Sequence, residues 1–484
     1  MNKARPIILW FSGTLRLSDN PALSAAAATA KPILPVFVFD DESPGPWRLG
    51  GAQRWWLHHS LCALDQSLSD LGVSLLFKRG DTLSELSRLA SDIEADGLFF
   101  QRRYEPWARG LEDRIHAALS AKLTVKRFGG HLLQDPERAR TGGGKPYRVF
   151  TPYWKSVRDQ EVGAPSPVPS NVRWYAHNER SEAIGDWRLL PTAPDWALEF
   201  SDRWQPGERG AQRALETFAT EFVDRYASDR DHPGQPGTST LSPHLAFGEI
   251  SPRQVLAHIH AAADRSSSMR GPDSFVRQIY WREFSYHLLF HWPQIPLEPF
   301  RDEYKDFPWR TNNTALACWQ RGRTGYPIVD AGMRQLWRTG WMHNRVRMIC
   351  ASFLVKHLMV PWQDGARWFW DTLLDADLAN NSAGWQWVAG CGADAAPYFR
   401  IFNPITQGQK FDSKGHYVRR WIPELAALPD EVLHAPWQAS DEVLASAKVR
   451  LGLDYPEPMV DHKVGRERAL GALAQFKEGR SNPN

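Results

Sequence analysis

The hydrophobic pattern of the chain changes near residue 206, and this change constrains the fold more than any other feature. Before residue 130, short runs of β-branched and aromatic residues alternate with segments of helical periodicity. The apolar runs, typical of buried strands, occupy residues 6–12, 32–40, 73–78, 97–101 and 123–128. The helical segments between them occupy residues 21–30, 51–71, 81–95 and 106–121. This alternation predicts a five-stranded parallel sheet, doubly wound by helices.

From residue 206 onward the periodicity is helical, and no convincing series of strands follows. Its clearest segments are residues 208–227, 251–264, 273–291, 327–338 and 341–358. The intervening residues 131–205 are rich in proline and show little periodicity, which is typical of a connector with short helices. The sequence therefore predicts an α/β domain at 1–130, a linker at 131–205 and an all-α domain at 206–484.

Bulk composition argues against several classes of protein. The cysteines Cys62, Cys318, Cys350 and Cys391 are widely spaced and form no CxxC pair, which disfavours a disulfide framework and a zinc site. No apolar run reaches the length of a membrane span, and the N-terminal run is too short for a signal peptide. We therefore expect a cytoplasmic protein with no metal and no membrane partner. A net charge of +3 permits a nucleic-acid partner without demanding one.

The turn after the first predicted strand lacks the glycine pattern of a dinucleotide site. Ser12, Gly13 and Thr14 stand there in place of GxGxxG. Because that pattern lets the backbone approach a pyrophosphate, we do not expect a dinucleotide site of the usual kind in the α/β domain.

Tryptophan is concentrated in the helical region. Eleven of the 23 tryptophans fall between Trp281 and Trp387. Each buries roughly 150–250 Å² of surface, so an aromatic core explains the density by itself. Tryptophan is also readily oxidised, and Trp309, Trp362 and Trp385 lie among Arg, Asp and Asn residues of the kind that hold a charged redox cofactor. A packing role and an electron-transfer role are both open on composition alone.

Two segments carry residues suited to a nucleotide-like ligand. Residues 237–242, GTSTLS, place hydroxyl side chains and backbone N–H groups before a helix, which suits a phosphate or simply caps the helix. Within 273–287, Gln278, Trp281 and Arg282 share one face of a predicted helix. An amide, a flat ring and a guanidinium suit a nucleobase, although an amphipathic helix with one buried Trp gives the same pattern.

Two further segments bring charged groups close together in sequence. The first begins a predicted helix and comprises Asn344, Arg345, Arg347 and Met348, with the two arginines on different faces. In the second, Asp375 and Asp377 precede several Asn and Trp residues and could hold Arg347 or a polar ligand. A metal site would need a third hard ligand, which the sequence does not supply.

Taken in order, these segments closely resemble the photolyase/cryptochrome family of flavoproteins, and most closely its cyclobutane pyrimidine dimer photolyases. The matching stretches are GTSTLSPHLAFGEISPRQ, WREFSYHLL, TGYPIVDAGMRQLWRTGWMHNRVRM and DADLANNSAGWQWVAGCGADAAPYFRIFNP. They lie within residues 206–475, and the N-terminal α/β pattern agrees with the same family. The resemblance implies a U-shaped FAD in the helical domain of a light-driven carbon–carbon lyase that repairs DNA.

The resemblance also implies which residues bind the cofactor. Those expected along its phosphate and ribityl side are Tyr226, Thr238, Ser239, Leu241 and Ser242. Those expected around the flavin ring and adenine are Arg282, Trp341, Asn344, Arg347, Asp375 and Asp377. Asn381 matches the position that faces flavin N5. The family's photoreduction chain matches Trp385 nearest the flavin, then Trp362, then Trp309 nearest the surface.

For the DNA lesion, the resemblance implies a dimer flipped out of the duplex. The residues expected to stack on it are Trp281 and Trp387, and those expected to contact phosphates are Arg230, Arg345 and Arg400. Asn344 and Met348 match the cyclobutane-dimer branch, because the (6-4) branch is expected to carry His in place of Asn344. The implied catalytic set is Gln278, Trp281, Asn344, Met348, Asn381 and Trp387.

Gln278 departs from the family pattern, because cyclobutane-dimer photolyases usually carry Glu there. The Gln amide can still donate a hydrogen bond, but it supplies neither a proton nor a negative charge. This change predicts slower repair or a different choice of lesion.

The antenna and the alternative functions stay open at this stage. The family can carry a second chromophore, which is a folate, a deazaflavin or a flavin. Trp47, Trp55 and Trp56 could stack a pterin, but we expect helix 51–71 to bury them. One alternative is a cryptochrome-type photoreceptor with little repair, disfavoured because only a short polar stretch follows DYPEPMVDHKVGRERAL; another is a structural DNA-binding protein. The expected partner is dimer-containing DNA, and the expected oligomeric state is a monomer.

Overall fold

The computed structural model describes residues 4–177, 179–264, 268–398 and 400–481. The chain forms two compact units, of which the first comprises Met1–Asp224 with Ser239–Pro293 and the second comprises Arg225–Thr238 with Gln294–Asn484. Compactness in space thus groups residues 239–293 with the sheet and not with the later helices. The domain bounds 1–130, 131–205 and 206–484 stay a prediction of the sequence pattern.

The first unit contains a five-stranded parallel sheet, which confirms the predicted fold class. Its strands are β1 (Ile7–Trp10), β2 (Ile33–Phe39), β3 (Leu76–Arg79), β4 (Gly97–Gln101) and β5 (Thr124–Phe128). Their order across the sheet is β3-β2-β1-β4-β5, and each neighbouring pair is parallel. Each strand overlaps one predicted apolar run. β1, β2 and β4 are buried along their whole length, as expected for parallel strands covered on both faces.

The helices up to residue 291 follow most of the predicted helical segments, but the prediction of one helix over 208–227 was wrong in its detail, because that helix ends at Glu221 and a 3₁₀ turn at Val223–Arg225 follows. They are α1 (Pro21–Ala27), α2 (Gly51–Ser69), α3 (Thr82–Asp92), α4 (Pro106–Leu119), α5 (Phe150–Val157), α6 (Phe200–Arg203), α7 (Glu208–Glu221), α8 (Tyr226–Asp229), α9 (Ser242–Ala246), α10 (Pro252–Ala263) and α11 (Arg270–His291). Short 3₁₀ turns lie at Gly45–Trp47, Ile184–Trp187 and Val223–Arg225. Of these helices, α8 belongs to the second unit and the others to the first.

Alternate residues of β1 pack into two hydrophobic clusters, one on each face of the sheet. Ile7 and Leu9 pack in the cluster that contains the buried residues of α1 and α2. Ile8 and Trp10 pack in the cluster that contains the buried residues of α3 and α4. The period of two along the strand therefore separates the helices into two layers around the sheet.

Two tryptophans of α2 belong to the interior of the first unit. Trp56 is fully buried and Trp55 is 4% exposed. The Trp56 indole Nε1 donates to the Glu249 carboxylate at 3.0 Å. Burial of both rings by α2 confirms the expectation for Trp55 and Trp56, and it leaves no open indole face at these two positions for a pterin.

The carboxyl ends of β1 and β4 are joined by hydrogen bonds of the chain itself. In sheets of this topology, ligands usually bind in the crevice outside these ends. Here Ser12 Oγ donates to Gln101 O at 2.6 Å, and Arg103 Nη1 donates to Ser12 O at 3.3 Å. A Cβ on Gly13 would lie 3.0 Å from Arg103 Cδ. The arginine side chain therefore lies directly against the turn that follows β1.

The second unit is helical after residue 293. Its helices are α12 (Asn313–Gln320), α13 (Pro327–Thr339), α14 (Asn344–Ser352), α15 (Trp362–Thr372), α16 (Leu378–Ala389), α17 (Pro404–Phe411), α18 (His416–Trp421), α19 (Asp430–Leu433), α20 (Asp441–Ser446) and α21 (His462–Ser481). Short 3₁₀ turns lie at Asp302–Asp306, Pro423–Leu425 and Pro436–Gln438. Among the described residues, no helix combines the length and apolarity that a bilayer crossing requires.

A turn of π-helix interrupts what the sequence predicted as one helix over 341–358. Three residues, 341–343, precede α14, which ends at Ser352, and Phe353–His357 then form the π turn. The π turn buries two ionisable side chains, Lys356 and His357. Turns of this kind change the register of a helix locally and occur often at functional sites.

The TGYPIVD segment forms a buried hydrogen-bond network at the start of α13. Asp330 is fully buried, and burial raises the pKa of its carboxyl group. Its carboxylate accepts from Thr324 N at 2.7 Å, Gly325 N at 3.0 Å and Tyr455 OH at 2.7 Å. This motif residue therefore fixes the entry to α13 and joins it to the C-terminal part of the unit.

Candidate functional site

A buried ion pair joins α14 to the segment before α16. Arg347 Nη2 lies 2.8 Å from Asp375 Oδ2, and Arg347 Nε donates to Met342 O at 2.7 Å. The Asp375 side chain is 3% exposed and that of Arg347 is 23% exposed. The Arg347 guanidinium also lies 5.9 Å from the centroid of the Trp341 ring. The sequence suggestion that a nearby carboxylate holds Arg347 is thus confirmed for Asp375.

Two buried side-chain atoms of residues predicted to lie at the flavin lack a hydrogen-bond partner among the described residues. They are Asp375 Oδ1, an acceptor, and Trp385 Nε1, a donor. A buried polar atom without a hydrogen bond costs free energy comparable to a lost bond, so native structures rarely leave one. Asp375 Oδ1 can therefore accept a hydrogen bond from a polar ligand, and Trp385 Nε1 can donate one.

The N-terminus of α16 is organised by one of the predicted carboxylates. Asp377 Oδ1 accepts from Asn380 N at 2.7 Å and from Asn380 Nδ2 at 2.9 Å, which makes Asp377 the helix N-cap. One turn into the helix, Asn381 Nδ2 donates to Ala366 O of α15 at 3.0 Å. The backbone of α15 therefore orients the Asn381 amide.

The three tryptophans of the predicted electron path share one hydrophobic core. Trp362 is 1% exposed and begins α15, and Trp385 is 3% exposed near the end of α16. Trp309 is only partly buried and packs against the same core, with its ring centroid 4.6 Å from that of Phe307. Trp309 is thus more exposed than the two inner rings, and the electron path through the three stays a prediction.

The end of α16 is closed by a buried lysine. Lys356, on the π turn, is fully buried. Its Nζ donates to Ala389 O at 3.0 Å and lies 3.2 Å from the centroid of the Tyr398 ring. Burial lowers the pKa of the Lys356 amine well below its ordinary value. The amine therefore satisfies a carbonyl of the last turn of α16 from inside the core.

The start of α14 carries the residues assigned to the lesion. Asn344 is exposed and Met348 is partly buried, and Asn344 Nδ2 lies 3.9 Å from Met348 Sδ. His343 caps the helix, because its Nδ1 accepts from Arg345 N at 3.2 Å. Burial lowers the pKa of His343 to about 4, which keeps the ring neutral and able to accept at neutral pH. Trp387, on α16, is also partly buried.

The three arginines predicted to contact DNA phosphates differ in their exposure and in the protein groups that they contact. Arg400 is exposed. Arg345 Nη2 pairs with Asp231 Oδ2 at 2.9 Å, and its guanidinium lies 4.4 Å from the Phe411 ring centroid. The Arg230 guanidinium lies 5.3 Å from the Tyr226 ring centroid. Sequence reasoning missed Asp231, although it belongs to the segment that already contained Arg230.

In the first unit, Trp281 lies on an aromatic stack. Its ring lies parallel to that of Phe150, with centroids 3.7 Å apart and planes 10° apart. Phe150 begins α5 and is 1% exposed, whereas Trp281 and Gln278 are partly buried. Phe150 lies in the predicted linker and was not singled out, although PYRVFTPYW carries aromatic residues at helical spacing. One face of the indole is thus covered by protein.

Arg282 is held within the first unit by the connector that follows the sheet. It is buried, its Nη1 donates to His131 O at 3.0 Å, and its Nη2 lies 2.9 Å from His131 Nε2. The neighbouring Glu283 is buried too, and its carboxylate accepts from Leu133 N at 2.9 Å. The role of Arg282 in cofactor binding stays a prediction.

The GTSTLS segment makes a tight turn. A Cβ on Gly237 would lie 2.9 Å from Asp229 Cβ, so glycine is required there by close approach. Thr240 has a φ of +52°, in the left-handed region that few side chains adopt. Leu241 N lies 3.4 Å from Ser239 Oγ. The other residues predicted along the phosphate and ribityl side of the cofactor differ in burial: Thr238 is partly buried, Tyr226 and Leu241 are buried and Ser242 is exposed.

Across the described part of the chain, His, Cys, Asp and Glu residues form no group of three or more that could hold a metal ion.

Two segments match known protein families. Residues 7–170 match the family described as DNA photolyase, and residues 275–475 match the FAD binding domain of DNA photolyase. The second match includes Arg347, Asp375 and Asn381.

Relatives match along nearly the whole chain. The deoxyribodipyrimidine photo-lyase of Agrobacterium fabrum is 49% identical over 478 residues, which cover 98% of this chain and 99% of that protein. Cryptochrome-1 of Arabidopsis thaliana is 37% identical over 481 residues, which cover 97% of this chain and 70% of that protein. The crystal structure of a bacterial class III photolyase from Agrobacterium tumefaciens matches with a TM-score of 0.96 at 48% identity and covers 99% of both chains.

Proposed function

The chain belongs to the photolyase/cryptochrome family, and from this premise we propose that it is a light-driven repair enzyme for cyclobutane pyrimidine dimers in DNA. Bound FAD, when reduced and excited by light, supplies the electron that splits the dimer. The protein's own residues bind that cofactor, orient the lesion and exclude water. The proposal gains its main support from one observation: the buried Oδ1 of Asp375, beside Arg347 within the FAD-binding match, has no hydrogen-bond partner among the described residues.

The donor set near Asp375 fits FAD. Flavin carries a ring N–H that can donate to a carboxylate and carbonyl oxygens that can accept from a guanidinium or an indole. Asp375 Oδ1 and Trp385 Nε1 are buried atoms that lack such partners among the described residues. We propose that Arg347, Asp375 and Asn381 hold the flavin ring. The ion pair would fix the Asp375 carboxylate, and the bond to Ala366 O would orient Asn381.

The platform for the flipped lesion is proposed to be Trp281. Because Phe150 covers one face of the indole at a centroid distance of 3.7 Å, a dimer would stack on the opposite face. A ring that is already held by a buried neighbour loses little conformational freedom when the base arrives. A dimer is also poorly stacked in the duplex, so flipping it out costs less than flipping a normal pair.

Trp281→Ala should weaken binding of dimer-containing DNA by about 1–3 kcal/mol, the usual worth of base–aromatic stacking. The measurement is a titration of lesion-containing and undamaged duplexes at one fixed salt concentration, since affinity for DNA depends on salt. Trp337→Ala provides a matched control, because Trp337 is 49% exposed and has no proposed role at the lesion. Equal lesion affinity in the parent and in Trp281→Ala would show that the dimer stacks elsewhere.

Positive charge at the lesion is proposed to come from Arg230, Arg345 and Arg400. Each arginine that neutralises a phosphate adds about 0.9 to the slope of log K against log salt. Arg345 already pairs with Asp231, whose side chain is 35% exposed. A phosphate would therefore replace a partly solvated carboxylate as its partner, whereas Arg400 would gain a partner from an exposed position.

The assay that tests the function compares defined cyclobutane and (6-4) lesions under blue light, using chemically reduced protein. We expect repair of the cyclobutane dimer, measured as recovered thymine absorbance, and no repair of the (6-4) lesion, in line with Asn344 and Met348. Gln278→Glu should accelerate repair, because a carboxyl group can supply a proton when neutral or a negative charge when ionised, and an amide supplies neither. Recovery no greater than in a dark control would refute the repair function.

A photoreceptor of the cryptochrome type is the second candidate, favoured by the 37% identity to cryptochrome-1 and by Gln278 in place of Glu. It predicts light-dependent reduction of the bound flavin together with no lesion-selective DNA binding. The same repair assay separates the two functions.

A further inference from the structure

α15 and α16 approach each other closely at a glycine. A Cβ built on Gly365 would lie 2.1 Å from Cη2, 2.5 Å from Cζ3 and 2.6 Å from Cζ2 of Trp385. Carbon atoms in ordinary contact stay about 3.5–4.0 Å apart. The outer edge of the Trp385 indole therefore lies directly on the backbone of α15. It does so three residues, or almost one helical turn, after Trp362.

The surrounding core leaves Trp385 little room to move away from Gly365. The centroid of the Phe369 ring lies 5.0 Å from that of the Trp385 ring, with an interplanar angle of 65°. The centroid of the Trp319 ring lies 6.1 Å from that of Trp385, with an interplanar angle of 69°. Trp319 is itself fully buried and donates from Nε1 to Cys350 O at 3.0 Å. A side chain added at residue 365 would therefore displace the indole or separate the helices, because a close-packed interior cannot absorb the extra atom.

The residue after Gly365 positions the second element of the flavin site. Ala366 O accepts the hydrogen bond from Asn381 Nδ2 at 3.0 Å. Interaxial distances between packed helices depend on the side chains at the contact, so the missing Cβ at 365 is what allows this bond to form. The close approach at Gly365 thus determines the positions of both Trp385 and the Asn381 amide, which is expected to face the flavin.

We propose that Gly365 is a positioning residue for electron transfer, which fixes Trp385 against the turn that begins with Trp362 and aligns Asn381 from the same backbone. This inference rests on the proposed function for its consequence in the reaction. Electron transfer slows steeply as the distance between donor and acceptor grows. A displaced Trp385 should therefore slow the supply of electrons along the path, whereas repair by protein that is already reduced needs no transfer through Trp385.

The test compares Gly365→Ala with Gly384→Ala. Gly384 precedes Trp385 on α16, and a Cβ built there meets no atom within 4 Å. Both substitutions replace a helical glycine by the residue of highest helix propensity, so both should stabilise the helix if packing is unaffected. We expect thermal unfolding at an equal or higher temperature for Gly384→Ala and at a lower temperature for Gly365→Ala.

In the flavin-loaded proteins, we expect photoreduction several-fold slower in Gly365→Ala than in the parent, and unchanged in Gly384→Ala. After chemical reduction, the Gly365→Ala protein should lose less of its repair rate than of its photoreduction rate, because repair needs no transfer through Trp385 and is affected only by the shift of Asn381. A crystal structure of Gly365→Ala should have a longer distance from Asn381 Nδ2 to Ala366 O. Parental photoreduction and parental stability in Gly365→Ala would overturn the inference.

A second variant covers the case in which Gly365→Ala does not fold. The three clashing atoms belong to the outer ring of the indole, which phenylalanine lacks, so Gly365→Ala with Trp385→Phe should fold and regain thermal stability. No gain in stability over Gly365→Ala would overturn the inference. If the parent protein itself fails to photoreduce, the proposed electron path is refuted, and the thermal comparison still decides whether Gly365 positions Trp385.

Discussion

Trp362→Phe should abolish light-driven reduction of the bound flavin and spare repair by chemically reduced protein. Trp362 is 1% exposed and lies in the same core as Trp385 and Trp309. Phenylalanine keeps an aromatic ring at the start of α15 but is far harder to oxidise than an indole. The fold should tolerate the change, because it removes much less volume than a truncation to alanine, which costs about 3–5 kcal/mol.

The measurement for this variant is the change of flavin absorbance under blue light with an external reductant, followed by the repair assay after chemical reduction. Trp319→Phe is the matched control. Trp319 is also fully buried, and its ring centroid lies 6.1 Å from that of Trp385, but it has no assigned place in the electron path. The control should photoreduce like the parent. If Trp362→Phe also photoreduces like the parent, the path from the surface has been assigned to the wrong residues.

Arg347→Met should lose the flavin and destabilise the second unit. The change leaves the Asp375 carboxylate, 3% exposed, without its cation, and removes the donor to Met342 O. Removing one partner of a buried ion pair typically costs about 3–5 kcal/mol. The lower end of that range is expected here, because the Arg347 side chain is 23% exposed and part of its charge is already solvated.

Flavin content per protein and the free energy of unfolding measure the two effects of Arg347→Met. Arg367→Met is the matched control, since Arg367 pairs with Asp364 on the exposed side of α15, with a side chain that is 66% exposed. Surface pairs contribute about 0–1 kcal/mol, so the control should retain both flavin and stability. Full flavin occupancy in Arg347→Met would remove Arg347 and Asp375 from the proposed site.

The sequence predicted the elements of the fold better than their contacts. The five strands and the helices α1 to α4, α7, α10 and α11 could be placed because burial imposes a period of two on strands and 3.6 on helices. The prediction of one helix over 341–358 was wrong in its detail, since the π turn at Phe353–His357 carries no pattern that distinguishes it from a helix. The order of the strands across the sheet depends on pairing between distant segments, which periodicity does not encode.

The candidate site was predictable where its residues stand in long motifs and not where a partner comes from elsewhere. Arg347 and Asp375 belong to two such motifs, and their pairing could be anticipated from charge. Phe150 could not be found in this way, because it comes from a segment of weak periodicity and acquires its role from Trp281. Gly365 could not be predicted either, since the role of one glycine in a helical pattern depends on the Trp385 ring that packs against it.

The lysine at the end of α16 has a consequence for the direction of charge movement. Helix ends usually turn to solvent for hydrogen bonds, but Lys356 supplies one from within. The inner indoles can therefore stay in a medium of low polarity, in which a positive charge left by electron loss is poorly stabilised. Trp309 is only partly buried, so the same charge is better solvated there. On the proposed route this polarity gradient favours movement of the charge outward and opposes its return.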